Sequence, residues 1–219
     1  MTVAAFAIFA VAGGFLIGSI PSGYLVGRFL FGIDIRTYGS GNIGAANALR
    51  TFGKTGAGLV LLLDLLKGLL PVLIVRLLHA YPAITAAVGA AGVCGHCFSP
   101  WLQFRGGKGV ATSLGAIIAL SWQAGAICVG GWFAGAALTA FSSVGSILAN
   151  VIAPFALWFT THQPAYAAYG VFAALLILFT HRENIARIRA GKENTLDALR
   201  PWRRRTRAPK SVMRIERGL

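Results

Sequence analysis

Acidic side chains are scarce in this sequence. Its 219 residues contain only 6 Asp and Glu against 20 Lys and Arg, which gives a formal net charge of +14. The sequence has no H-E-x-x-H motif, no cluster of carboxylates for two metal ions and no Ser-His-Asp order. We therefore expect no metal and no cofactor, and a site that works by positioning and electrostatics.

Cysteine is also rare, and its pattern argues against redox chemistry. The 3 cysteines are an odd number, which does not suit a disulfide framework. Cys94 and Cys97 form a C-x-x-C sequence, but such a redox motif opens a helix of a soluble βαβ unit. Here the motif ends a long apolar run, so a redox centre is not expected.

Apolar residues dominate the chain. They make up 56% of it, only 12% of the residues are charged, and the mean hydropathy is +0.70. A bilayer core needs about 20 apolar residues per helix, and the sequence offers several such runs. Its 28 glycines suit close packing of helices in lipid. These features predict an all-α integral membrane protein.

Apart from Lys67 and Arg76, the basic residues lie outside the apolar runs. They cluster in three places: around residues 28–54, around residues 105–108, and in the tail after residue 180. This distribution follows the positive-inside rule, and it lacks the folded basic face that nucleic-acid binding requires. We therefore expect no nucleic acid as partner. We divide the chain into a catalytic membrane domain, residues 1–190, and a basic cytoplasmic tail, residues 191–219, which contacts anionic membrane lipids.

Hydropathy and charge together predict seven transmembrane helices. The first run, residues 3–26, is interrupted at Pro21; the next two cover about 56–78 and 83–98, and the last covers about 165–180. Residues 110–159 are long enough for three short spans, with breaks at 128–131 and 139–143. This count puts the N-terminus outside and the C-terminus in the cytoplasm. Five spans remain the alternative.

A polar, glycine-rich loop separates the first two runs at residues 39–50. Its glycines allow sharp turns, and its polar side chains can donate hydrogen bonds to an anion. The candidates for phosphate binding are Ser40, Gly41, Asn42, Gly44, Asn47 and Arg50. The alternative is that the glycines and asparagines serve only as turn residues.

A second polar loop follows the third apolar run. Its candidates are His96, Gly106, Gly107, Lys108, Gly109 and Thr112. The loop is not a Walker motif, because the required spacing of glycines and the final Ser or Thr are missing. It still offers backbone donors and a lysine at the start of a helix, where anions bind favourably. A packed structural histidine is the alternative for His96.

Two further pairs of polar residues sit at helical spacing. His181 and Asn184 follow the last apolar run and lie three residues apart, on one helical face. Asp64 and Lys67 lie inside the second run, also three apart, and should face the bundle interior and neutralise each other. This second pair either fixes helix packing or contacts the substrate.

The loops and the His181 pair share the predicted cytoplasmic face, which indicates an anionic, amphipathic ligand. A transporter of a phosphorylated solute is the competing interpretation. Against it, the outer turns hold no comparable polar groups, and transporter sites usually lie near the midplane between internal repeats, which we do not detect. A non-catalytic lipid-binding scaffold is a third interpretation.

Four motifs in order resemble those of bacterial acyl-phosphate:glycerol-3-phosphate acyltransferases of the PlsY type. The motifs are residues 40–50, residues 64–68, residues 95–112 and residues 181–184, and the resemblance covers nearly all of the first 190 residues. It implies acyl transfer from acyl phosphate to the 1-hydroxyl of glycerol 3-phosphate, giving lysophosphatidic acid and phosphate, the first acylation of phospholipid synthesis. It further implies a metal-free reaction at the cytoplasmic side of the bacterial inner membrane. The acyl-phosphate-forming enzyme is a candidate partner.

The resemblance also implies roles for individual residues. Lys108, Ser40 and His181 would be catalytic and, with Arg50 and Asn184, would line the glycerol-phosphate site. Gly41, Asn42, Gly44 and residues 106–109 would hold the donor phosphate, with His96, Asn47 and Thr112 in support. The chain departs from the family pattern at Ile43, where proline is usual, at Ala46, where threonine is common, and near Ala140, where a basic residue and a tyrosine are often found.

Overall fold

The protein is helical throughout the part of the chain that the structure describes. A computed structural model describes residues 2–196, and these contain ten α-helices, two short 3-10 helices (Ile35–Thr37 and Pro100–Leu102) and no strand. The α-helices are α1 Val3–Ser19, α2 Ser22–Leu30, α3 Ala45–Thr51, α4 Gly53–Leu77, α5 Pro82–Cys97, α6 Val110–Leu120, α7 Trp122–Thr139, α8 Ser142–Thr161, α9 Pro164–Thr180 and α10 Arg182–Arg189. Most of the predicted basic tail lies outside the described residues.

Several of these helices can cross a membrane. By length and composition three qualify among the described residues: α4, the segment Pro82–Leu102 and α8. The number rises to five if the bent pairs α1–α2 and α9–α10 each count as one span. The α1–α2 bend of 40° lies at Pro21, as the sequence predicts. The predicted count of seven spans is not confirmed.

One predicted break in the long apolar stretch is wrong. Residues 128–131 lie inside the continuous helix α7, and the chain breaks instead at Ser121, between α6 and α7. Ser121 has an extended backbone, and its hydroxyl accepts a hydrogen bond from Ala124 N at the start of α7. Neither Gly130 nor Gly131 forms a turn, and Gly131 packs against α8, where an added Cβ would overlap with Ile152. The break at 139–143 is confirmed, with Ala140 in the left-handed region (φ 61°).

Hydrogen bonds tie the helix ends together on two opposite sides of the bundle. On one side, Arg76 near the end of α4 donates to Ala119 O at the end of α6 (2.6 Å), and the hydroxyls of Ser121 and Thr160 lie 2.9 Å apart. On the other side, Thr180 at the end of α9 donates to Lys108 O, just before α6 (3.0 Å). The loops that carry the candidate site residues lie on this second side.

Helices α4 and α6 touch through glycines. A Cβ on Gly68 of α4 would overlap with Thr112 O, and a Cβ on Gly115 of α6 would overlap with Leu65 O. Only a residue without a side chain allows the two backbones to approach this closely. The contact fixes the start of α6, and with it Lys108, against the second long helix.

Candidate functional site

A cavity of about 480 Å³ opens at the loop side of the bundle and brings most of the predicted site residues together. The candidates that line it are Ser40, Asn42, Gly44, Asn47, Arg50, His96, Lys108, Gly109, His181 and Asn184. Four candidates do not line it: Gly41, Gly106, Gly107 and Thr112. Segments that are far apart in the sequence thus contribute to one cavity.

Asn47 organises the first loop from within. Its side-chain amide donates to the backbone carbonyls of Ile35 (3.2 Å), Tyr38 (3.0 Å) and Asn42 (2.9 Å), and its Oδ1 accepts from Ser40 N (2.9 Å). The residue is 1% exposed. A buried amide with all these partners holds a single loop conformation. Asn47 therefore holds the loop that places Ser40 at the cavity, and its predicted support of substrate binding stays a prediction.

Asn42 and Gly41 shape the same loop in different ways. Asn42 Oδ1 accepts a hydrogen bond from Gly44 N (2.9 Å), just before α3. Gly41 has φ 72°, and its N–H donates to Tyr38 O (3.0 Å), so it forms a turn behind the cavity wall. The turn interpretation thus describes Gly41, whereas Asn42 and Gly44 also line the cavity. Arg50, on α3, lines it as well.

The second loop is clamped to the end of α5. The N–H groups of Gly106 and Gly107 donate to the carbonyls of Cys97 and His96, both at 3.0 Å. These two N–H groups are engaged within the protein, so the glycines shape the loop and do not present donors to the cavity. The cavity is reached instead by Lys108, by Gly109 (φ 84°) and by the first residues of α6.

Lys108 is the cation at the centre of the second loop. Its Nζ contacts Asn184 Oδ1 on α10, and its carbonyl accepts from Thr180. Burial, reinforced by the positive charge of Arg187, lowers the pKa of Lys108 to about 8. The lysine therefore carries its charge at neutral pH but loses it more easily than an exposed lysine.

His181 and Asn184 reach the cavity from the junction of α9 and α10. His181 is buried, and its Nδ1 lies 2.8 Å from Ile177 O, an arrangement that makes Nδ1 the protonated nitrogen and Nε2 an acceptor. Asn184 contacts Lys108 with its oxygen and Glu193 with its nitrogen (2.6 Å). The 55° bend between α9 and α10 lets both side chains face the same space.

Sequence analysis missed Glu193, which the structure places in the cavity wall. Its Oε1 accepts from Ser143 Oγ on α8 (2.9 Å) and from Asn184, and its Oε2 accepts from Arg187 Nε (2.9 Å). Burial alone would raise the pKa of this carboxyl, but these hydrogen bonds and the charge of Arg187 hold the pKa below its usual value. Glu193 is one of four acidic residues after residue 180, so nothing in the sequence marked it out.

The residues after α10 return to the bundle. Gly191 (φ 66°) turns the chain, and Leu196 N donates to Ala140 O between α7 and α8 (2.8 Å). Residues 191–196, here the C-terminal segment, thus cover part of the cavity mouth. The domain boundary at 190 stays a prediction, although this segment contacts the membrane domain. Ala140, noted for its departure from the family pattern, contributes its carbonyl here.

The predicted ion pair on α4 is present. Lys67 Nζ lies 2.8 Å from Asp64 Oδ1, both side chains are buried, and Asp64 lines the cavity. His96 Nδ1 lies 3.6 Å from the same carboxylate oxygen. Among the described residues, no group of three or more His, Cys, Asp or Glu side chains could hold a metal ion.

One part of the cavity lining is apolar. Its residues come from α4, α6 and α7 and include Leu61, Leu114, Ile117, Val129 and Phe133. Leu61 and Phe133 are also exposed, so this part of the cavity reaches the surface of the bundle. A cavity lined by both polar and apolar side chains fits a ligand with an anionic head and a hydrocarbon chain.

Comparison with known proteins identifies a family for this chain. Residues 8–191 match the family model described as glycerol-3-phosphate acyltransferase. Curated relatives of that name include one from Synechococcus sp. (strain JA-2-3B'a(2-13)), 47% identical over 85% of this chain and 93% of its own, and one from Trichlorobacter lovleyi, 45% identical over 87% and 98%.

A solved structure is similar over nearly its whole length. The glycerol 3-phosphate form of PlsY (YgiH), an integral membrane glycerol 3-phosphate acyltransferase, superposes with a TM-score of 0.84 at 34% identity, over 90% of this chain and 98% of its own. Its lysophosphatidic acid form gives a TM-score of 0.81 over 87% and 95%. The apolar helices and this likeness indicate a membrane protein. The chain belongs to the glycerol-3-phosphate acyltransferase family.

Proposed function

We propose that the protein transfers a fatty acyl group from acyl phosphate to the 1-hydroxyl of glycerol 3-phosphate, giving lysophosphatidic acid and inorganic phosphate. This would be the first acylation of phospholipid synthesis. One observation carries the proposal: a single cavity joins Ser40, Arg50, Lys108, His181 and Asn184 with an apolar wall from α4, α6 and α7. The polar part suits the two phosphorylated groups and the apolar part suits the acyl chain.

Within this proposal, the polar side chains divide between the two substrates. Arg50, Ser40, His181 and Asn184 bind glycerol 3-phosphate, and Lys108 lies between its hydroxyl and the donor. The donor phosphate meets the start of α6, where Gly109 lines the cavity and the helix dipole favours an anion.

The remaining candidates act indirectly. Asn47 and Gly41 hold the first loop, and Gly106 and Gly107 hold the second, as their hydrogen bonds indicate. Thr112 is fully buried at the contact of α4 with α6, away from the cavity lining. We assign it a packing role rather than substrate contact.

The chemistry needs little from the protein, because acyl phosphate is an activated mixed anhydride. The 1-hydroxyl oxygen attacks the carbonyl carbon and the bond from that carbon to the phosphate oxygen breaks. The leaving phosphate takes the proton of the hydroxyl. Lys108 stabilises the negative charge that develops on the carbonyl and the phosphate, and His181 Nε2 orients the attacking hydroxyl. No metal or cofactor enters this scheme.

We also propose a seven-span topology in the bacterial inner membrane, with the N-terminus outside, and the cavity and C-terminus in the cytoplasm. The hydrogen bonds that join Arg76 to Ala119 and Ser121 to Thr160 support it, because they group the ends of α4, α6 and α8 on the side opposite Lys108. The basic tail would contact anionic lipids. The acyl-phosphate-forming enzyme is a partner that this topology makes accessible.

A detergent assay tests the proposed reaction. Purified protein without a sealed membrane should release phosphate from acyl phosphate only when glycerol 3-phosphate is added, and should form lysophosphatidic acid in equal amount. Acyl-CoA and acyl carrier protein conjugates, run in parallel, should give no product. A transporter or a lipid-binding scaffold would release no phosphate. Lys108→Ala should abolish turnover in a folded protein, and full activity in this variant would refute its role.

A further inference from the structure

A buried charged cluster lies in the cavity wall beneath the second loop. Asp64, Lys67 and His96 are 2%, 6% and 4% exposed. Burying an ion pair inside a membrane protein costs more free energy than burying an apolar pair of the same size. Stability alone therefore does not account for this ion pair. The reaction scheme above uses neither Asp64 nor Lys67. Their position suggests another role.

Each member of the ion pair faces a different neighbour. Lys67 Nζ donates to Ile20 O (2.7 Å), at the bend between α1 and α2, so Lys67 anchors that bend. Asp64 Oδ1 lies 2.8 Å from Lys67 and 3.6 Å from His96 Nδ1. Within residues 2–196, His96 Nδ1 has no hydrogen-bond partner, and the Asp64 carboxylate is the polar group that this nitrogen faces.

His96 in turn supports the loop that carries Lys108. Its carbonyl accepts from Gly107 N (3.0 Å), and its Nε2 lies so close to Gly107 that a Cβ there would overlap with it. Gly107 is the residue immediately before Lys108. A tilt of the imidazole would therefore shift Gly107 and change the position of the Lys108 ammonium group.

We propose that Asp64 is a positioning residue, which acts through His96 and Gly107 to set the place of Lys108 in the cavity. The inference rests on the proposed function, since it concerns the efficiency of that reaction. The carboxylate orients the imidazole, the imidazole supports Gly107, and Lys108 follows. A packing role for the ion pair alone would make no demand on His96.

The test removes the carboxylate without leaving a buried charge. Asp64→Asn alone would strand Lys67, so the variant is the double substitution Asp64→Asn, Lys67→Gln, which is neutral at both positions. Because small misplacements in an active site can cost up to about 10²-fold in rate, we expect kcat to fall at least about 10-fold. The KM for both substrates should change less than about 3-fold, and the melting temperature should stay within a few degrees of wild type.

A control separates this effect from loss of a hydrogen-bonded cation elsewhere on α4. Arg76 lies on the same helix, and Arg76→Gln keeps a donor for Ala119 O on the opposite side of the bundle. We expect this variant to keep wild-type kcat. His96→Asn, which leaves the ion pair intact, should lose activity to the same degree as the double variant, and also serves if the double variant does not fold.

Combining the substitutions tests the route through His96. The triple variant should be no slower than His96→Asn alone, since both changes break one chain of contacts. Wild-type kcat in the folded double variant, or losses that multiply in the triple variant, would overturn the inference.

A readout without turnover keeps this test separate from the proposed function. Acylation of Lys108 by an amine-reactive reagent, followed by mass spectrometry, should differ at least about 3-fold between wild type and the double variant. An unchanged labelling rate would overturn the positioning role even if the wild-type protein proved inactive toward glycerol 3-phosphate, a result that would refute the proposed function alone.

Discussion

The pKa of Lys108 makes a sharp prediction for the pH dependence of the reaction. Burial and the charge of Arg187 lower this pKa from 10.5 to about 8. The lysine would thus be about nine-tenths charged at pH 7 and about one-tenth charged at pH 9. If the ammonium stabilises the charge that develops on the leaving phosphate, kcat/KM should fall about 10-fold between those two values. An exposed lysine would lose activity only above pH 10.

The assay compares wild-type protein with Lys108→Arg in detergent. Phosphate release is followed from pH 6 to pH 10, after subtraction of spontaneous acyl phosphate hydrolysis at each pH. A guanidinium stays charged throughout this range, so the variant, although slower because its fork has a different geometry, should show no alkaline decline. The alkaline decline of kcat should occur at higher pH than the alkaline decline of kcat/KM, because a bound phosphate dianion raises the pKa of Lys108.

Two results would refute this reasoning. A wild-type profile that stays flat to pH 10 would mean that Lys108 keeps an ordinary pKa or that its charge is not needed. The same alkaline decline in Lys108→Arg would assign the limb to another group.

Three further predictions concern the scaffold of the site. Asn47→Asp replaces a donor to three carbonyls by an acceptor, so it should destabilise the fold by at least about 1–3 kcal/mol in thermal unfolding and abolish turnover. Gly18→Ala should lower stability by about 1–3 kcal/mol, because its Cβ would overlap with Gly92 O on α5, whereas Gly13→Ala, with open space around it on the same helix, should not. Glu193→Ala should lower the melting temperature at pH 7. Since the folded-state pKa of Glu193 is depressed, its electrostatic stabilisation is fully present above pH 4.5 and is lost as the pH falls through the lower folded-state pKa, so the difference from wild type should shrink over that range.

Polar loops between apolar runs were the part of the site that sequence could predict. Residues such as Ser40, Lys108 and His181 stand out because a membrane helix rarely carries them, and the positive-inside rule places them on one face. The shared face predicted that these residues meet, and all three line one cavity. The same face also led to the expectation of an amphipathic ligand. The kink at Pro21 and the pair of Asp64 with Lys67 were also predictable, because both depend on local geometry.

Contacts that depend on tertiary structure were beyond the same reasoning. Hydropathy could not locate the break at Ser121, because serine caps a helix or packs within one equally well in an apolar stretch. The hydrogen bonds of Gly106 and Gly107 to α5 depend on how the loop folds back. The sequence therefore could not show that their N–H groups already have partners within the protein. Glu193 was hidden by its basic neighbours, and only the turn at Gly191 returns it to the cavity.

In the proposed function, the short helix α6 would let one cavity serve a soluble and a lipid substrate. Its 11 residues extend about 16 Å, about half of the roughly 30 Å hydrocarbon core. Its end near Ser121 is tied to the ends of α4 and α8, so Lys108 at its start lies well inside the depth that α4 covers with 25 residues. The phosphate of acyl phosphate would then reach Lys108 while the acyl chain stays in the apolar layer. Glycerol 3-phosphate would instead enter past the C-terminal segment, where the polar side chains of the mouth replace its water.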